Sequence, residues 1–382
     1  MPPCHFCTYF DRGYLSKGLA LHRSLLRHCP SFVLWALCLD DETHDVLTRL
    51  ALPSVRPIAL SELLDADPEL RAVASERERV DFYFTCSPVL PLRLLEGLAG
   101  CDAPDRITYL DADLFFFADP KPLFDEIGDH SVAIVEHRFS ASNLFRLREG
   151  RFNVGWLTFR RDENALECLR WWREKCLEWC SGKSDGDRYA DQKYLDEFPA
   201  RFRGVRVLEH VGANVAPWNV GNYRVWRQPG EGGGVRVDES PLIFFHFSGL
   251  RSRPLRLYDL NLCHFKVRAG REIVQHIYRP YIRTLQQVEE ETAPLREAAA
   301  AENAAESLPS PRPGRSPLSL LLEFAERVPH GVASVLNGDY QFVRRGGAES
   351  VSRRVAAAVS GAPRGTTPLS CLPLLMLLLG GS

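Results

Sequence analysis

Two aspartates directly follow a short apolar run, a pattern typical of a metal site at the end of a strand. Residues 106–110 are predicted as that strand, and Asp111 and Asp113 come next, followed by Leu114 and three phenylalanines. In open α/β sheets, ligands gather at the carboxyl ends of strands, and paired carboxylates suit the hard cations Mg²⁺ and Mn²⁺. A cation held there would neutralise the charge that develops on a departing diphosphate. The pair alone indicates a cation site and leaves the reaction open.

Four later segments carry side chains that suit a sugar and its cation. They are Asn153 with Gly155, Asp191 with Gln192, Trp218 with Asn219, and His246 with Gly249. Amides and carboxylates hydrogen-bond sugar hydroxyls and an indole covers a sugar ring. A glycine lets the backbone approach closely, and an imidazole supplies a further metal ligand. A core histidine, a turn amide and a core tryptophan would give the same pattern in isolation, so the residue types alone leave both interpretations open.

Taken in order, these segments resemble the retaining glycosyltransferases of family 8, and the similarity covers roughly residues 4–285. The resemblance implies a GT-A fold, a nucleotide-sugar donor, and Mn²⁺ or Mg²⁺ as the cofactor. It implies that the cation is bound by Asp111, Asp113 and His246, and Gly249 completes the H-x-x-G motif of the family.

The resemblance also assigns the donor-binding residues. The residues that line the donor sugar in the family correspond to Asn153, Gly155, Asp191 and Gln192, of which the last two are the catalytic candidates. Trp218, Asn219 and Gly249 are further sugar-binding candidates. The nucleoside corresponds to Thr8, Tyr9, Asp11 and Tyr14. In place of the family's lysine–proline pair, this chain has Arg253-Pro254 one residue later, so Arg253 is the candidate for the diphosphate contact. Its planar guanidinium would offer several N–H donors, whereas a lysine acts as a point charge.

The resemblance implies that a hexose is transferred from a nucleotide sugar to a glycan, lipid-linked or protein acceptor with retention of configuration. The usual nucleotide of the family is UDP. Two alternatives stay open. A haloacid-dehalogenase-like phosphatase also has a strand ending in D-x-D, and the segment from Gly186 to Asp191 imitates its later motif. A catalytically silent nucleotide-sugar or glycan-binding protein could share the fold.

The surrounding pattern predicts the elements that position these residues. Short apolar runs alternate with amphipathic stretches, which predicts an α/β fold of GT-A type with a Rossmann-like mixed sheet flanked by helices. Residues 15–28 are predicted as a helix and Asp162 as the N-cap of another. A helix over residues 80–98 is predicted to be interrupted by Pro88 and Pro91.

The composition of the chain limits which partners and which cellular location can be predicted for the protein. A net charge of -2 and a pI near 6.6 give no field for holding nucleic acid. Eleven scattered cysteines and the lack of a signal-peptide pattern predict a cytoplasmic protein. Residues 1–289 are predicted as the transferase domain, 290–317 as an Ala/Pro/Glu-rich linker, and 318–382 as a poorly ordered tail with one helix. The apolar run at 369–379 is too short to span a bilayer. It is either part of the poorly ordered tail, which we favour, or a peripheral contact with the inner face of a membrane.

Overall fold

The computed structural model describes residues 3–98, 103–230, 232–253, 257–306, 340–344 and 347–350. The chain forms two compact units. The first consists of Met1–His246 with Thr284–Leu308, and the second of Phe247–Arg283 with Pro309–Ser382. The sequence predicts a single domain over residues 1–289, whereas the chain leaves the first unit after His246 and returns to it at Thr284.

Strands and helices alternate along most of the first unit. Its described strands are β1 (Cys4–Phe10), β2 (Phe32–Cys38), β3 (Val55–Ala59), β4 (Arg106–Leu110), β5 (Leu114–Phe116), β6 (Val132–Glu136), β7 (Phe152–Arg160), β8 (Val205–Leu208), β9 (Val225–Arg227), β10 (Val235–Val237), β11 (Ser240–Pro241) and β12 (Phe244–His246). Those of the second unit are β13 (Arg251–Arg253), β14 (Leu257–Asp259), β15 (Tyr340–Arg344) and β16 (Gly347–Ser350).

The helices lie mostly between these strands. They are α1 (Leu15–His28), α2 (Asp41–Leu50), α3 (Leu60–Ala66), α4 (Pro68–Ala74), α5 (Arg79–Leu95), α6 (Lys121–Ile127), α7 (Glu163–Glu178), α8 (Phe198–Arg201), α9 (Arg271–Ile273) and α10 (Arg279–Glu306). Short 3₁₀ segments cover Ala141–Glu149, Lys193–Glu197, Val220–Asn222 and Cys263–Phe265, and a π-helical turn covers Val274–Tyr278. Within the described ranges, no helix combines the length and the apolar character needed to cross a membrane.

The central sheet is mixed and has seven strands in the order β3-β2-β1-β4-β7-β6-β8. Strands β1 to β4 pair in parallel, whereas β7 runs antiparallel to both β4 and β6. The predicted mixed α/β sheet flanked by helices is therefore confirmed. Its strand directions matter for the site, because the carboxyl ends of β1, β2 and β4 meet at one edge and the start of β7 lies beside the end of β4.

A second, two-stranded sheet brings a distant part of the chain to that edge. Strand β12 pairs antiparallel with β5, and His246 lies opposite Leu114. Since Leu114 directly follows Asp113, this register places the imidazole beside the carboxylate pair although the two are more than a hundred residues apart in sequence.

Apolar side chains on both faces of the sheet hold the helices. Alternation along β1 sends Cys7 to one face and Phe6 and Phe10 to the other. Helices α5 and α7 cover the first face, while α1 and α6 cover the second. Helix α1 has the bounds that the sequence predicts, and Asp162 caps α7 as predicted by accepting a hydrogen bond of 3.0 Å from the backbone N–H of Ala165.

Two predictions of local structure differ from the fold. Pro88 and Pro91 lie inside α5 without interrupting it, so the predicted break is wrong. The helix is buried along most of its length, and this burial offsets the cost of about 3 kcal/mol that a proline imposes inside a helix. The start of the predicted linker is also helical, because α10 continues to Glu306 with Val288 and Ala299 buried. The rest of the linker, the predicted tail helix and the apolar run at 369–379 lie outside the described residues.

A candidate metal centre at the carboxyl edge of the sheet

Asp111, Asp113 and His246 form one cluster within the first unit. One ligand atom of each lies within 4.8 Å of the others. His246 Nε2 is 3.0 Å from Asp113 Oδ1 and 3.6 Å from Asp111 Oδ2. The side chain of Asp111 is 28% exposed and those of the other two are 10% and 7% exposed, so the cluster opens to solvent on the Asp111 side.

The donor set fits a divalent cation. Two carboxylate oxygens and one imidazole nitrogen suit Mn²⁺ or Mg²⁺ better than a soft metal, which prefers thiolates. Three protein ligands leave further coordination positions for oxygens of a ligand or of water. The predicted metal-ligand residues are therefore brought together in a geometry able to hold a cation, while the identity of the metal stays a prediction.

The imidazole of His246 and the two carboxylates stabilise each other's charged forms, while the carboxylates repel each other. Burial acts to raise the pKa of Asp113, but the charge and hydrogen bond of His246, together with Lys17, outweigh it and lower that pKa to about 2. Burial and the neighbouring Asp113 carboxylate raise the pKa of Asp111 against the opposing charge of His246. Burial acts to lower the pKa of His246, and the two carboxylates outweigh it and raise that pKa. Lys17 Nζ is 3.7 Å from Asp113 Oδ2 and adds a fixed positive charge at the site.

Asn153 and Gly155 lie directly behind the imidazole, at the start of β7. Asn153 Oδ1 is 3.2 Å from His246 Nδ1 and accepts a hydrogen bond of 3.1 Å from the backbone N–H of Gly155. The carbonyl of Gly155 in turn accepts from the backbone N–H of Asp111 at 3.2 Å. A Cβ at Gly155 would come within 2.6 Å of Asn153 Oδ1 and 2.9 Å of His246 Nδ1, so only glycine fits this position without displacing its neighbours.

Asp191 and Gln192 join the same assembly through separate contacts. Gln192 Oε1 accepts from Asn153 Nδ2 at 3.2 Å, and its Nε2 donates to the carbonyl of Glu149 at 2.9 Å. Asp191 is buried, and its carbonyl accepts from the Trp172 indole N–H at 2.8 Å. Burial, with a contribution from the charge of Asp111, raises the pKa of Asp191 to about 7 against a hydrogen bond from Ser87.

Trp218 and Asn219 pack behind the metal cluster. The Trp218 ring contacts the His246 ring edge to face with centroids 5.1 Å apart, and its indole N–H donates to the carbonyl of His137 at 3.0 Å. Asn219 is buried, and within the described part of the chain its amide bonds to backbone groups of His137, Asn214 and Ala216. Both side chains hold the wall of the site, and their predicted contact with a sugar stays a prediction.

The residues predicted for the nucleoside lie at the end of β1 and just beyond it. Tyr9 bonds to Ser87 Oγ at 3.1 Å, and its ring is 5.7 Å from that of Tyr109, whose hydroxyl donates to Asp111 at 2.9 Å. Asp11 pairs with Arg79 at 2.7 Å. Tyr14 is exposed and lies beneath the ammonium of Lys17, which is 3.8 Å from its ring centroid. The hydroxyl of Thr8 is buried without a hydrogen-bond partner among the described residues.

A cavity of about 530 Å³ lies near Asp11, at the same carboxyl edge of the central sheet as the metal cluster. It is lined by two aromatic rings, three arginines, one carboxylate and three aliphatic residues, which are Phe82, Tyr83, Arg12, Arg77, Arg79, Asp40, Leu39, Leu60 and Ala74. Its volume lies within the range of small-molecule sites. Apolar walls with a few charged groups suit a nucleoside better than a bare ion.

Gly249 and Arg253 belong to the second unit. Gly249 has a φ of 72°, and a Cβ there would meet Asn261 Nδ2 at 2.2 Å, which accounts for a glycine at this position. Arg253 lies on β13, and its guanidinium is 3.6 Å from Asp259 Oδ2. Their predicted contacts with the donor stay predictions.

Several residues of the first-unit assembly were not predicted from the sequence. They are Lys17, Ser87, His137, Tyr109 and the cavity residues Arg12, Asp40, Arg79, Phe82 and Tyr83. Asp40 could have been found, because it follows the buried strand β2 just as Asp111 follows β4. Tyr109 lies only two positions before Asp111 but within the strand and carries no motif. The others contact the site from distant parts of the sequence, as in the contacts of Arg12 with Asp40 and of Tyr9 with Ser87, which are 28 and 78 positions apart.

Comparison with known proteins places the chain in a family. No protein-family model matches the sequence. The uncharacterized protein YfnD of Bacillus subtilis (strain 168) is 34% identical over 288 residues, which cover 75% of this chain and 89% of YfnD. The uncharacterized protein YfnF of the same organism is 31% identical over 282 residues, covering 72% and 90% of the two chains. The chain therefore belongs to the same protein family as YfnD and YfnF.

The structure is also similar to solved glycosyltransferases at low identity. The galactosyltransferase LgtC, solved with donor and acceptor sugar analogs, is 15% identical with a TM-score of 0.45, over 76% of this chain and 99% of LgtC. Mouse xyloside xylosyltransferase 1 is 17% identical with a TM-score of 0.42, over 65% and 99% of the two chains. These are weak likenesses, and the function proposed below rests on the side chains of the site.

Proposed function

We propose that this protein is a divalent-cation-dependent glycosyltransferase that takes a hexose from a nucleotide sugar, with UDP as the nucleotide. The observation that carries the proposal is the cluster of Asp111, Asp113 and His246 at the same sheet edge as the cavity beside Asp11 and Asp40. The carboxylate–histidine cluster suits a diphosphate with its cation, and the cavity suits a nucleoside.

The spacing between these two positions matches such a donor. Asp40 follows β2 and Asp111 follows β4, and β1 lies between the two strands. Two interstrand spacings amount to roughly 10 Å, which is the scale of a nucleoside joined to a diphosphate. The side chains of Asp11 and Tyr9, at the end of β1, lie along that path.

Each group of residues in the site has its own role in the proposed reaction. A divalent cation held by Asp111, Asp113 and His246 supplies charge neutralisation for the diphosphate leaving group. Lys17 adds a fixed positive charge at the same place. Asp191 and Gln192 border the sugar. Retention fits a front-face reaction in which the departing phosphate oxygen takes the proton of the acceptor hydroxyl.

The test measures release of nucleoside diphosphate from UDP-, GDP- and dTDP-sugars by the purified protein, with Mn²⁺ and with a chelator. We expect cation-dependent release from one donor. Asp113→Asn should reduce release to the level of the chelated sample, because it removes a metal ligand. The control Asp125→Asn makes the same change at an exposed carboxylate on α6 and should behave like the wild type. Release that survives in Asp113→Asn would contradict the assignment.

A second measurement separates the alternatives. A silent binding protein would bind a donor in calorimetry and release no diphosphate. The phosphatase alternative is disfavoured by Gly186, which lies in a turn closed by the bridge between Asp185 and Arg188 rather than at the end of a sheet strand. The anomeric configuration of the product, read by NMR, tests retention by itself. The acceptor we propose is a glycan, a lipid-linked glycan or a protein, and the proposed location is the cytoplasm.

A further inference from the structure

We infer that Asn153 is a positioning residue that fixes the tautomer of His246, and that His137 and Gln192 hold its amide in the required orientation. The inference concerns the metal-ligand residue of the proposed function and therefore rests on it. It assigns Asn153 a role different from the sugar contact that the sequence predicts.

The orientation of the Asn153 amide follows from three backbone groups. The carbonyl of Arg151 can only accept, so His137 Nδ1, at 3.2 Å from it, carries a proton and His137 Nε2 is an acceptor. The carbonyl of Glu149 likewise takes a proton from Gln192 Nε2, which leaves Gln192 Oε1 as an acceptor. The N–H of Gly155 can only donate.

Only one amide orientation satisfies all three. Asn153 Nδ2 faces the two acceptors, His137 Nε2 at 3.3 Å and Gln192 Oε1 at 3.2 Å. Its Oδ1 faces the Gly155 N–H at 3.1 Å. A flipped amide would set its NH₂ group against that N–H and its oxygen against the oxygen of Gln192, so the flip is excluded.

This orientation determines the proton on His246. Because Asn153 Oδ1 is an acceptor, His246 Nδ1, 3.2 Å away, must donate to it. Without a cation, Nε2 also carries a proton, because it lies 3.0 Å from Asp113 Oδ1, which can only accept. A cation bound by Asp111 and Asp113 would replace that proton, while Asn153 would keep the proton on Nδ1, so the lone pair of Nε2 would face the cation. Hydrogen bonds of this kind behind a metal-binding histidine fix both its tautomer and its ring orientation.

The amide has no capacity left for a sugar. Its two N–H groups and the two lone pairs of its oxygen are all used by protein groups, and the residue is 5% exposed. Burial lowers the pKa of His137 to about 3, so this ring stays neutral and keeps its acceptor nitrogen at physiological pH. The ring is held in place by stacking on Phe139 with centroids 4.5 Å apart.

The test measures Mn²⁺ affinity by calorimetry or electron paramagnetic resonance, without any nucleotide sugar. Asn153→Ala removes the acceptor and should weaken binding by about tenfold to a hundredfold. Asn153→Asp keeps the acceptor oxygen but opposes the oxygen of Gln192, so we expect affinity within a few-fold of the wild type together with reduced stability. The control Asn222→Ala removes an exposed amide that bonds to the carbonyl of Arg138 and should change neither quantity.

A second readout is independent of any cation. At neutral pH, ¹H–¹⁵N spectra of the cation-free wild type should show a proton on His246 Nδ1 that exchanges slowly with solvent, because Asn153 Oδ1 accepts it. In Asn153→Ala this proton should exchange faster. Wild-type Mn²⁺ affinity in a folded Asn153→Ala protein, or a wild-type His246 whose Nδ1 carries no proton, would overturn the inference while leaving the proposed function standing. Absence of cation binding by the wild type would instead refute the proposed function, and the proton on His246 Nδ1 would still decide the inference.

Discussion

Gly155→Ala is the smallest change that should disable the metal centre. The added Cβ would lie 2.6 Å from Asn153 Oδ1 and 2.9 Å from His246 Nδ1, whereas real Cβ contacts stay above 3.0 Å. An ordinary contact begins at 3.4 Å, so the Asn153 oxygen must move by about 0.8 Å, and the imidazole nitrogen that it orients is displaced with it. Functional constellations tolerate errors of only about 0.5 Å.

The expected loss can be stated in two quantities. Mn²⁺ affinity should fall by about tenfold to a hundredfold, which corresponds to about 1.4 to 2.7 kcal/mol. The free energy of unfolding should fall by about 1 to 3 kcal/mol, as for other overpacked buried sites. Calorimetric titration with Mn²⁺ and urea unfolding of the metal-free protein measure these separately.

The matched control is Gly234→Ala, since a Cβ at Gly234 meets no atom within 4 Å. This variant should match the wild type in both assays. A folded Gly155→Ala protein that binds Mn²⁺ as tightly as the wild type would refute the reasoning, because it would show that the imidazole does not depend on the space left by the glycine.

Two further predictions concern stability. Burial raises the pKa of Asp191 from 3.8 to about 7, so between about pH 4 and pH 7 the folded chain holds a proton that the unfolded chain releases, and stability falls as pH rises through that window. Asp191→Asn should lack this fall and be more stable than the wild type at about pH 8, by up to about 4 kcal/mol in urea unfolding of the metal-free protein. Equal pH profiles would contradict this. Asp67→Asn should lower the free energy of unfolding by about 3 kcal/mol, because the fully buried Asp67 carboxylate pairs with Arg173 and Arg93. Its Mn²⁺ affinity should match the wild type, and a parallel loss of affinity would show an unexpected coupling to the metal centre.

The part of the site that the sequence predicts is the part encoded by local pattern. Asp111 and Asp113 follow a recognisable strand, and His246 ends another, so strand-end position and residue type identify each of them as a candidate metal ligand. The antiparallel ladder of β5 and β12 that brings them together has no local signal. The resemblance to a family supplied that step, and the geometry of the cluster agrees with it.

The remainder depends on tertiary contacts that spacing does not report. Asn153 was predicted from its motif, but its engagement with His137 could not be, since His137 follows a strand with no motif of its own. Helix α5 continues through Pro88 and Pro91 because burial outweighs local propensity. Helix α10 continues past residue 290 because its sequence there is rich in alanine and glutamate, which are strong helix formers, and because Val288 and Ala299 are buried.

The return of the chain to the first unit has a consequence for its synthesis. Val288 and Ala299 belong to the same buried cluster as Phe10, Leu15 and Leu19 near the start of the chain. A ribosome that adds about 5 to 20 residues per second needs roughly 15 to 60 s to reach Ala299. During that time the face of the nascent chain that carries Phe10 lacks its final cover, which is the kind of exposed apolar surface that chaperones bind. Strand β1 is thus completed long before the residues that finish enclosing it.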